Sequence, residues 1–327
     1  MALPRRVGDY LLIKELGHGS FGRVHQAVRW QDATKAGLSV SAASVELARN
    51  QPDALRQLRD SLLAAELELF AVKLARDGSK EAELELERAN CERIRAVKAC
   101  ATHPNLLQFV QSAEDKDEKT GEKKLALVFS WCSSGDLRAV INERKAQTPR
   151  VFLSRHEALS LAVQLTSAVA ALHKHGLVHR DLAPRNVLCH RVNGQLQLKL
   201  GDFDLCKHVE DAATGNTITK DSLGNPEDVA AAGDEKQLYP RKDVFGLSMT
   251  LFGLISLEDL SAVSLLDFAA KRADVRTALQ SGEMVNRFGK DFCDALFAML
   301  HEEAAKRITA DAALSRFSAL LSASKSG

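Results

Sequence analysis

Four short runs in this sequence hold residues whose types and spacing suit chemistry. Gly17-His18-Gly19-Ser20-Phe21-Gly22 spaces its glycines as G-x-G-x-x-G. Glycine lets backbone N–H groups approach an anion, so the run fits a loop laid over phosphates. Taken alone, it fits an ordinary glycine-rich turn equally well. A dinucleotide-binding unit needs a helix after the motif, but Val24, Gln26, Val28 and Trp30 follow at period two and read as a strand. Phe70-Ala71-Val72-Lys73 places a lysine in a second apolar run. His179-Arg180-Asp181-Leu182-Ala183-Pro184-Arg185-Asn186 and Asp202-Phe203-Asp204 gather acid, amide and imidazole groups. The cysteines, at 91, 100, 132, 189, 206 and 293, show no C-x-x-C spacing and read as reduced intracellular thiols.

These runs need elements to hold them. Tyr10 to Trp30 reads as two strands around the glycine turn, and Leu67 to Leu74 as a third. Between them, residues 31–66 put Leu55, Leu58 and Leu62 at helical spacing, with Pro52 ahead and Asp53 as a candidate cap. Residues 79–100 form a charged helix with glutamates at 81, 83, 85, 87 and 92. His103 to Val110 and Leu125 to Phe129 are short apolar strands, and the charged run 114–121 between them reads as a hairpin tip. Beyond residue 130 the pattern turns helical. Ser154 and Glu157 form a capping box for a helix with Leu161, Leu165 and Leu172 on its apolar stripe, which Gly176 ends. Asn193-Gly194 marks a two-residue hairpin, and helices are expected over 243–257, 259–282, 289–301 and 309–321.

The order and spacing of the four runs resemble the eukaryotic protein kinase set: glycine loop, V-A-I-K lysine, H-R-D-x-x-x-x-N loop, then D-F-G. The likeness covers about residues 8–320. It implies an α+β bilobal fold in one domain over 1–327. A small β-rich lobe with one main helix occupies 8–130, including the 31–66 insertion, and a larger, mainly helical lobe occupies 131–321. It implies Mg·ATP between the lobes and transfer of the γ-phosphoryl group to a protein hydroxyl.

Carried over residue by residue, the resemblance implies that Lys73 holds the α- and β-phosphates. A helix glutamate pairs with Lys73; Glu92 is the first choice, from its spacing to Lys73 and to His103-Pro104-Asn105, with Glu87 and Glu85 as alternatives. Asp181 orients and deprotonates the substrate hydroxyl, and Asn186 and Asp202 hold Mg²⁺ as oxygen donors to a hard cation. His179 packs beneath the loop, and Arg180 meets a phosphorylated activation segment. Gly17, Gly19 and Gly22 cover the phosphates. Leu16, Val24 and Ala71 roof the adenine and Leu188 floors it. Phe129 is the gatekeeper, with Ser130-Trp131-Cys132 as the hinge. Asp136 either meets the ribose or caps a helix. Asn225-Pro226-Glu227 resembles A-P-E, and Glu227 is expected to pair with Arg307.

Several positions depart from the family. Asp204 replaces the glycine of D-F-G, where glycine permits backbone angles costly to other residues. Ala183 stands where Ser/Thr kinases usually have lysine, giving the loop a tyrosine-kinase look. Yet the whole chain has only Tyr10 and Tyr239, and the segment 202–227 offers Thr214, Thr217, Thr219 and Ser222 instead. Ser/Thr specificity is therefore favoured. The alternative to an active enzyme is a pseudokinase that binds ATP and acts through partners; a kinase-like small-molecule phosphotransferase is a further rival. The 31–66 insertion reads as a tolerated surface segment or as a site for a regulatory partner.

Composition bounds the rest. In 327 residues, 45% hydrophobic and 27% charged, a globular core is expected. A net charge of +1 gives no whole-protein field for nucleic acid. The longest uncharged stretches, 158–172 and 244–257, are shorter than the roughly 18 residues of a membrane span. No signal peptide is apparent, so a cytoplasmic or nuclear location is expected. The resemblance implies protein substrates, and charge and span length give no reason to expect a nucleic-acid or membrane partner.

Overall fold

A computed structural model describes residues 4–18, 22–38, 51–75, 80–116, 121–210, 235–258, 260 and 268–324. The chain divides into two compact units. The first comprises residues 1–95 and 108–132, the second residues 96–107 and 133–327.

The first unit is built on a six-stranded antiparallel sheet. Its strands are β1 (Arg5–Val7), β2 (Tyr10–His18), β3 (Gly22–Arg29), β4 (Leu69–Ala75), β5 (Phe109–Lys116) and β6 (Lys123–Ser130), in the order β1-β2-β3-β4-β6-β5. One face buries Val7, Tyr10, Leu12, Ala27, Phe70, Val72, Leu74, Ala126 and Val128. On β4 the alternation is strict: Phe70, Val72 and Leu74 point into this core, while Leu69, Ala71 and Lys73 stand on the other face. Arg5 on β1 forms an ion pair with the buried Asp115 on β5, so the two edge strands are tied and the sheet curls on itself.

That pair explains a difference from the sequence reading. β5 runs on through Glu114-Asp115-Lys116, which pair with Leu125, Lys124 and Lys123. Charge alone reads as loop, but an edge strand tolerates charged residues, and the buried Asp115 has the half-buried Arg5 as its counter-charge. The tip at 117–120 lies outside the described residues. The strand expected at 103–110 begins only at Phe109. Leu106 and Leu107 belong to the second unit, where Leu106 bridges Leu200 and the Leu107 N–H donates to the Leu200 carbonyl.

Helices α1 (Trp30–Lys35), α2 (Pro52–Ala64) and α3 (Glu81–Ala96) complete the first unit. Pro52 sits at the first helical position of α2, with Gln51 as N-cap and Asp53 in the first turn. Proline lacks only an N–H that has no helical partner there, so it, and not Asp53, marks the start.

The second unit contains α4 (Lys98–Ala101), α5 (Leu137–Ala146), α6 (Arg155–Lys174), β7 (Leu177–Val178), β8 (Val187–Val192), β9 (Gln195–Leu200) and β10 (Lys207–His208). It continues with α7 (Glu235–Ser256), α8 (Phe268–Leu279), α9 (Gly282–Phe288), α10 (Lys290–Met299) and α11 (Ala310–Ala323). The capping box of α6 forms as the sequence indicates: the Glu157 N–H donates to Ser154 Oγ and the Ser154 N–H to Glu157 Oε2. Asn193 (φ 50°) and Gly194 (φ 79°) make the turn between β8 and β9, the left-handed pair that suits a tight hairpin. Helix α7 begins earlier than expected and carries Pro240 inside it. Helix α5 is the one that the capping alternative for Asp136 required, and α9 has no counterpart in the sequence reading. Among the described residues no helix is long and apolar enough to cross a membrane.

Candidate functional site

In the first unit, Lys73 projects from β4 and its Nζ lies 2.6 Å from Glu87 Oε2. The side chains are 14% and 3% exposed. Helix periodicity explains the choice of partner. Leu84, Glu87, Cys91 and Ile94 recur at the spacing of one buried helix face. Glu92 is five residues beyond Glu87, about 140° further around the helix at 3.6 residues per turn. It is 41% exposed, and its Oε1 accepts from Arg88 Nη1 at 3.0 Å. The expected Lys73–Glu92 pair is thus replaced by Lys73–Glu87. The signal was available in the sequence: Leu84, Cys91 and Ile94 define an apolar stripe that contains 87 and not 92.

The register sets the other sheet residues. Val24 pairs with Lys73 and Gln26 with Ala71 across β3 and β4, and Ala71 pairs with Phe129 across β4 and β6. Gly17 and Gly22 flank the turn, while Gly19 lies outside the described residues. Gly22 is required by space: a Cβ there would lie 2.5 Å from the Leu74 carbonyl oxygen. A Cβ at Gly17 would meet nothing within 4 Å. Leu16 is exposed, whereas Phe129 is buried with its ring edge-on to Phe109 at 5.7 Å. The Ser130 N–H donates to the Gln108 carbonyl at 2.9 Å. Trp131 and the buried Cys132 follow.

In the second unit, Asp136 is the N-cap of α5: its Oδ1 accepts the Ala139 N–H at 2.7 Å. The cap, one of the two roles the sequence left open, is formed. Leu188 on β8 makes an isolated bridge to Asp136.

The segment 179–204 is dense in polar contacts. Asp243, on α7 and buried, accepts the His179 N–H at 2.7 Å, the Arg180 N–H at 2.8 Å and His173 Nε2 at 2.9 Å. Burial on its own raises the Asp243 carboxyl; the hydrogen bond and charge of His173, with the contacts from His179, outweigh it and hold the group below the ordinary aspartate value. Arg180 takes a left-handed φ of 71°, so this anchoring fixes a strained backbone just before Asp181. The buried His179 places Nε2 3.0 Å from the Gly201 carbonyl and meets Phe203 edge-on at 5.6 Å. Structure is its role, as the sequence suggested.

Asp181 is held from two sides. Arg185 Nη2 donates to both carboxylate oxygens at 2.7 and 2.8 Å. Asn186 Nδ2 donates to Asp181 Oδ2 at 2.7 Å and to its carbonyl at 2.8 Å. With its amide nitrogen committed, Asn186 has its oxygen left to offer a cation. Asp202 adopts φ 63°, while Asp204, at the glycine position, is not in the left-handed region. The Asp204 side chain is buried and its Oδ1 accepts the Leu205 N–H at 2.7 Å. The strain expected at 204 is therefore borne by 202, and Asp204 acts as a turn cap.

Arg180 donates to the Leu205 carbonyl at 3.5 Å and lies 5.6 Å from the Tyr239 ring centre. Thr214, Thr217, Thr219, Ser222 and the 225–227 run lie outside the described residues, and with them the Glu227 half of the expected ion pair. Arg307 is buried and donates to the carbonyls of His301 and Glu302 at 2.7 and 3.0 Å.

The motifs that meet in these contacts also recur in known proteins. The family model described as "Protein kinase domain" matches residues 60–317. Calcium-dependent protein kinase 24 of Arabidopsis thaliana is 27% identical over 258 residues, covering 77% of this chain and 36% of that protein. Serine/threonine-protein kinase Nek2 of Homo sapiens is 25% identical over 261 residues, 78% of this chain and 48% of that protein. Serine/threonine-protein kinase PkaA of Streptomyces coelicolor is 28% identical over 254 residues, 77% of this chain and 40% of that protein. The chain thus spans less than half the length of these curated relatives. The match begins inside α2, and the glycine strands at 10–29 lie ahead of it, beyond the 31–66 insertion. With the family model covering well over half of the chain, and with the lysine–glutamate pair and the His-Arg-Asp loop formed within their units, this chain belongs to the protein kinase family.

Proposed function

We propose that the chain is an active ATP-dependent protein kinase that phosphorylates protein serine and threonine hydroxyls, with residues 1–327 forming one catalytic domain. The observation that carries this reading is the Lys73–Glu87 pair, a half-buried cation on a sheet face held by a buried carboxylate at 2.6 Å. A lone buried ammonium tends to lose its charge; a paired one keeps it, and a charged lysine is what phosphates require. In this reading Lys73 binds the α- and β-phosphates beneath Gly17, Gly19 and Gly22. Leu16, Val24, Ala71 and Phe129 contact the adenine, and the backbone of Ser130, Trp131 and Cys132 faces its edge. Glu87 takes the place first given to Glu92.

Asp181 orients the substrate hydroxyl and accepts its proton. Arg185 and Asn186 occupy part of the carboxylate, which still has lone pairs to spare, since its two oxygens offer about four acceptor positions. Their contacts fix its orientation. Asn186 and Asp202 fit Mg²⁺: both supply oxygen, and the amide nitrogen of Asn186 is turned to Asp181. Two protein donors suit a cation that takes its other ligands from phosphate and water. Bound Mg²⁺ supplies charge neutralisation on the transferring phosphoryl group. Asp136 remains available to a ribose hydroxyl through the oxygen not engaged by Ala139. The Ser/Thr preference is supported by the absence of tyrosine from 202–227 and by the Ser/Thr kinases among the relatives.

The test compares wild type with Asp181→Asn, given Mg²⁺, labelled ATP and a generic protein substrate, after pre-incubation with an active kinase to phosphorylate the loop. Transfer by wild type is expected to exceed the variant by at least about 100-fold, with label on serine and threonine. Equal transfer by both proteins, with ATP still bound, supports the pseudokinase reading instead.

A further inference from the structure

The sheet face assigned above to the nucleotide does not end at Val24 and Ala71. Val28 pairs with Leu69 on the same two strands. Directly paired residues stand on one face of a sheet, so Val28 and Leu69 share the face of Val24, Ala71 and Lys73. At about 3.3 Å per residue, Val28 lies ~13 Å from Val24 along β3. There the insertion covers the face. Leu62 of α2 and Ala33 of α1 are buried in one cluster with Leu11, Ile13 and Val28.

Ile13 gives this packing a consequence for the site. The β2–β3 ladder slips twice, between Leu12 and Lys14 and again between Glu15 and Gly17. Ile13 is the residue left out at the first slip. A bulge bends its strand, and the ladder resumes at Lys14 and runs on to His18, so the bend at Ile13 helps to set the course of β2 into the glycine turn. Ile13 is 4% exposed, in a cluster closed by Leu62, which is 0% exposed. A segment tolerated merely at the surface needs no such anchor.

We propose that the 31–66 insertion positions the glycine turn for phosphate binding, with Leu62 seating Ile13 in its bulge. The inference rests on the nucleotide reading above. Leu62 is a positioning residue that acts through Ile13 and β2, at a distance from the phosphates themselves.

The test measures the dissociation constant for Mg·ATP by calorimetry on the full chain. Wild type is compared with Leu62→Ala, Leu62→Met and Val7→Ala. Val7 is equally buried but belongs to the core on the opposite face. Leu62→Ala is expected to weaken ATP binding about tenfold, Leu62→Met to restore it within about twofold, and Val7→Ala to leave it within about twofold. A folded Leu62→Ala protein with unchanged affinity, or equal weakening by Leu62→Ala and Val7→Ala, overturns the proposal alone. A wild type that binds no ATP refutes the nucleotide reading and this proposal with it. Hydrogen exchange on wild type decides the matter if Leu62→Ala does not fold. ATP must slow exchange in 52–64 as well as in 10–29; unchanged exchange in 52–64 overturns the link.

Discussion

Replacing Glu87 with glutamine tests the central contact of the first unit. The substitution keeps the shape of the side chain and removes its charge, leaving Lys73, whose side chain is 14% exposed, beside a neutral amide. Removing one partner of a buried ion pair costs about 3–5 kcal/mol. The residual exposure of Lys73 puts this case near the lower end, about 3 kcal/mol. Glu92→Gln is the matched control: its partner Arg88 lies on the solvent side of α3, and a water-screened pair of this kind contributes little. Urea unfolding should therefore separate the variants clearly, with Glu87→Gln destabilised and Glu92→Gln close to wild type. In a transfer assay Glu87→Gln should lose about 100-fold in kcat/KM if Lys73 binds the phosphates as proposed, since misplacing such a group by an ångström costs that much. Glu92→Gln should stay within about twofold. A double cycle with Lys73→Met should show that the two losses are not additive. If Glu92→Gln proves the more damaging, or Glu87 and Lys73 behave independently, the assignment is wrong.

Three further outcomes follow from the contacts. Asp243→Asn should destabilise the second unit by about 3 kcal/mol at neutral pH, because an amide cannot accept from His173, His179 and Arg180 together. The Asp243 carboxyl sits below its ordinary value when folded, so its contribution is present above the unfolded pKa of about 3.9 and lost as pH falls further. The gap between wild type and Asp243→Asn in urea titrations should accordingly close in acid. Gly22→Ala should cost about 1–3 kcal/mol, by driving a methyl against the Leu74 carbonyl, and should weaken ATP binding in calorimetry. Asp204→Gly should lower stability by about 1 kcal/mol through loss of the Leu205 cap, with Asp204→Asn retaining most of it in thermal melts.

The sequence by itself determined the family and most elements, because local rules carried them. The Ser154–Glu157 box, the Asn193-Gly194 turn and the apolar stripe of α6 depend on neighbours within a few residues, and each formed where the pattern placed it. The order of the motifs identified the family without any coordinates. Where a choice depended on partners distant in the chain, the tertiary structure decided. Glu87 rather than Glu92 faces Lys73 because α3 turns its Leu84–Ile94 stripe inward, and five residues of helix rotate Glu92 away. Asp115 became part of a strand because Arg5, 110 positions earlier, supplies its counter-charge. Asp204 escaped the strain expected of it because the left-handed turn falls at Asp202, a property of how the chain bends there and not of residue type. The 31–66 segment read as a surface insertion because leucines at helical spacing do not say what they cover. Only the burial of Leu62 in one cluster with Ile13 and Val28 places it on the same sheet face as Lys73.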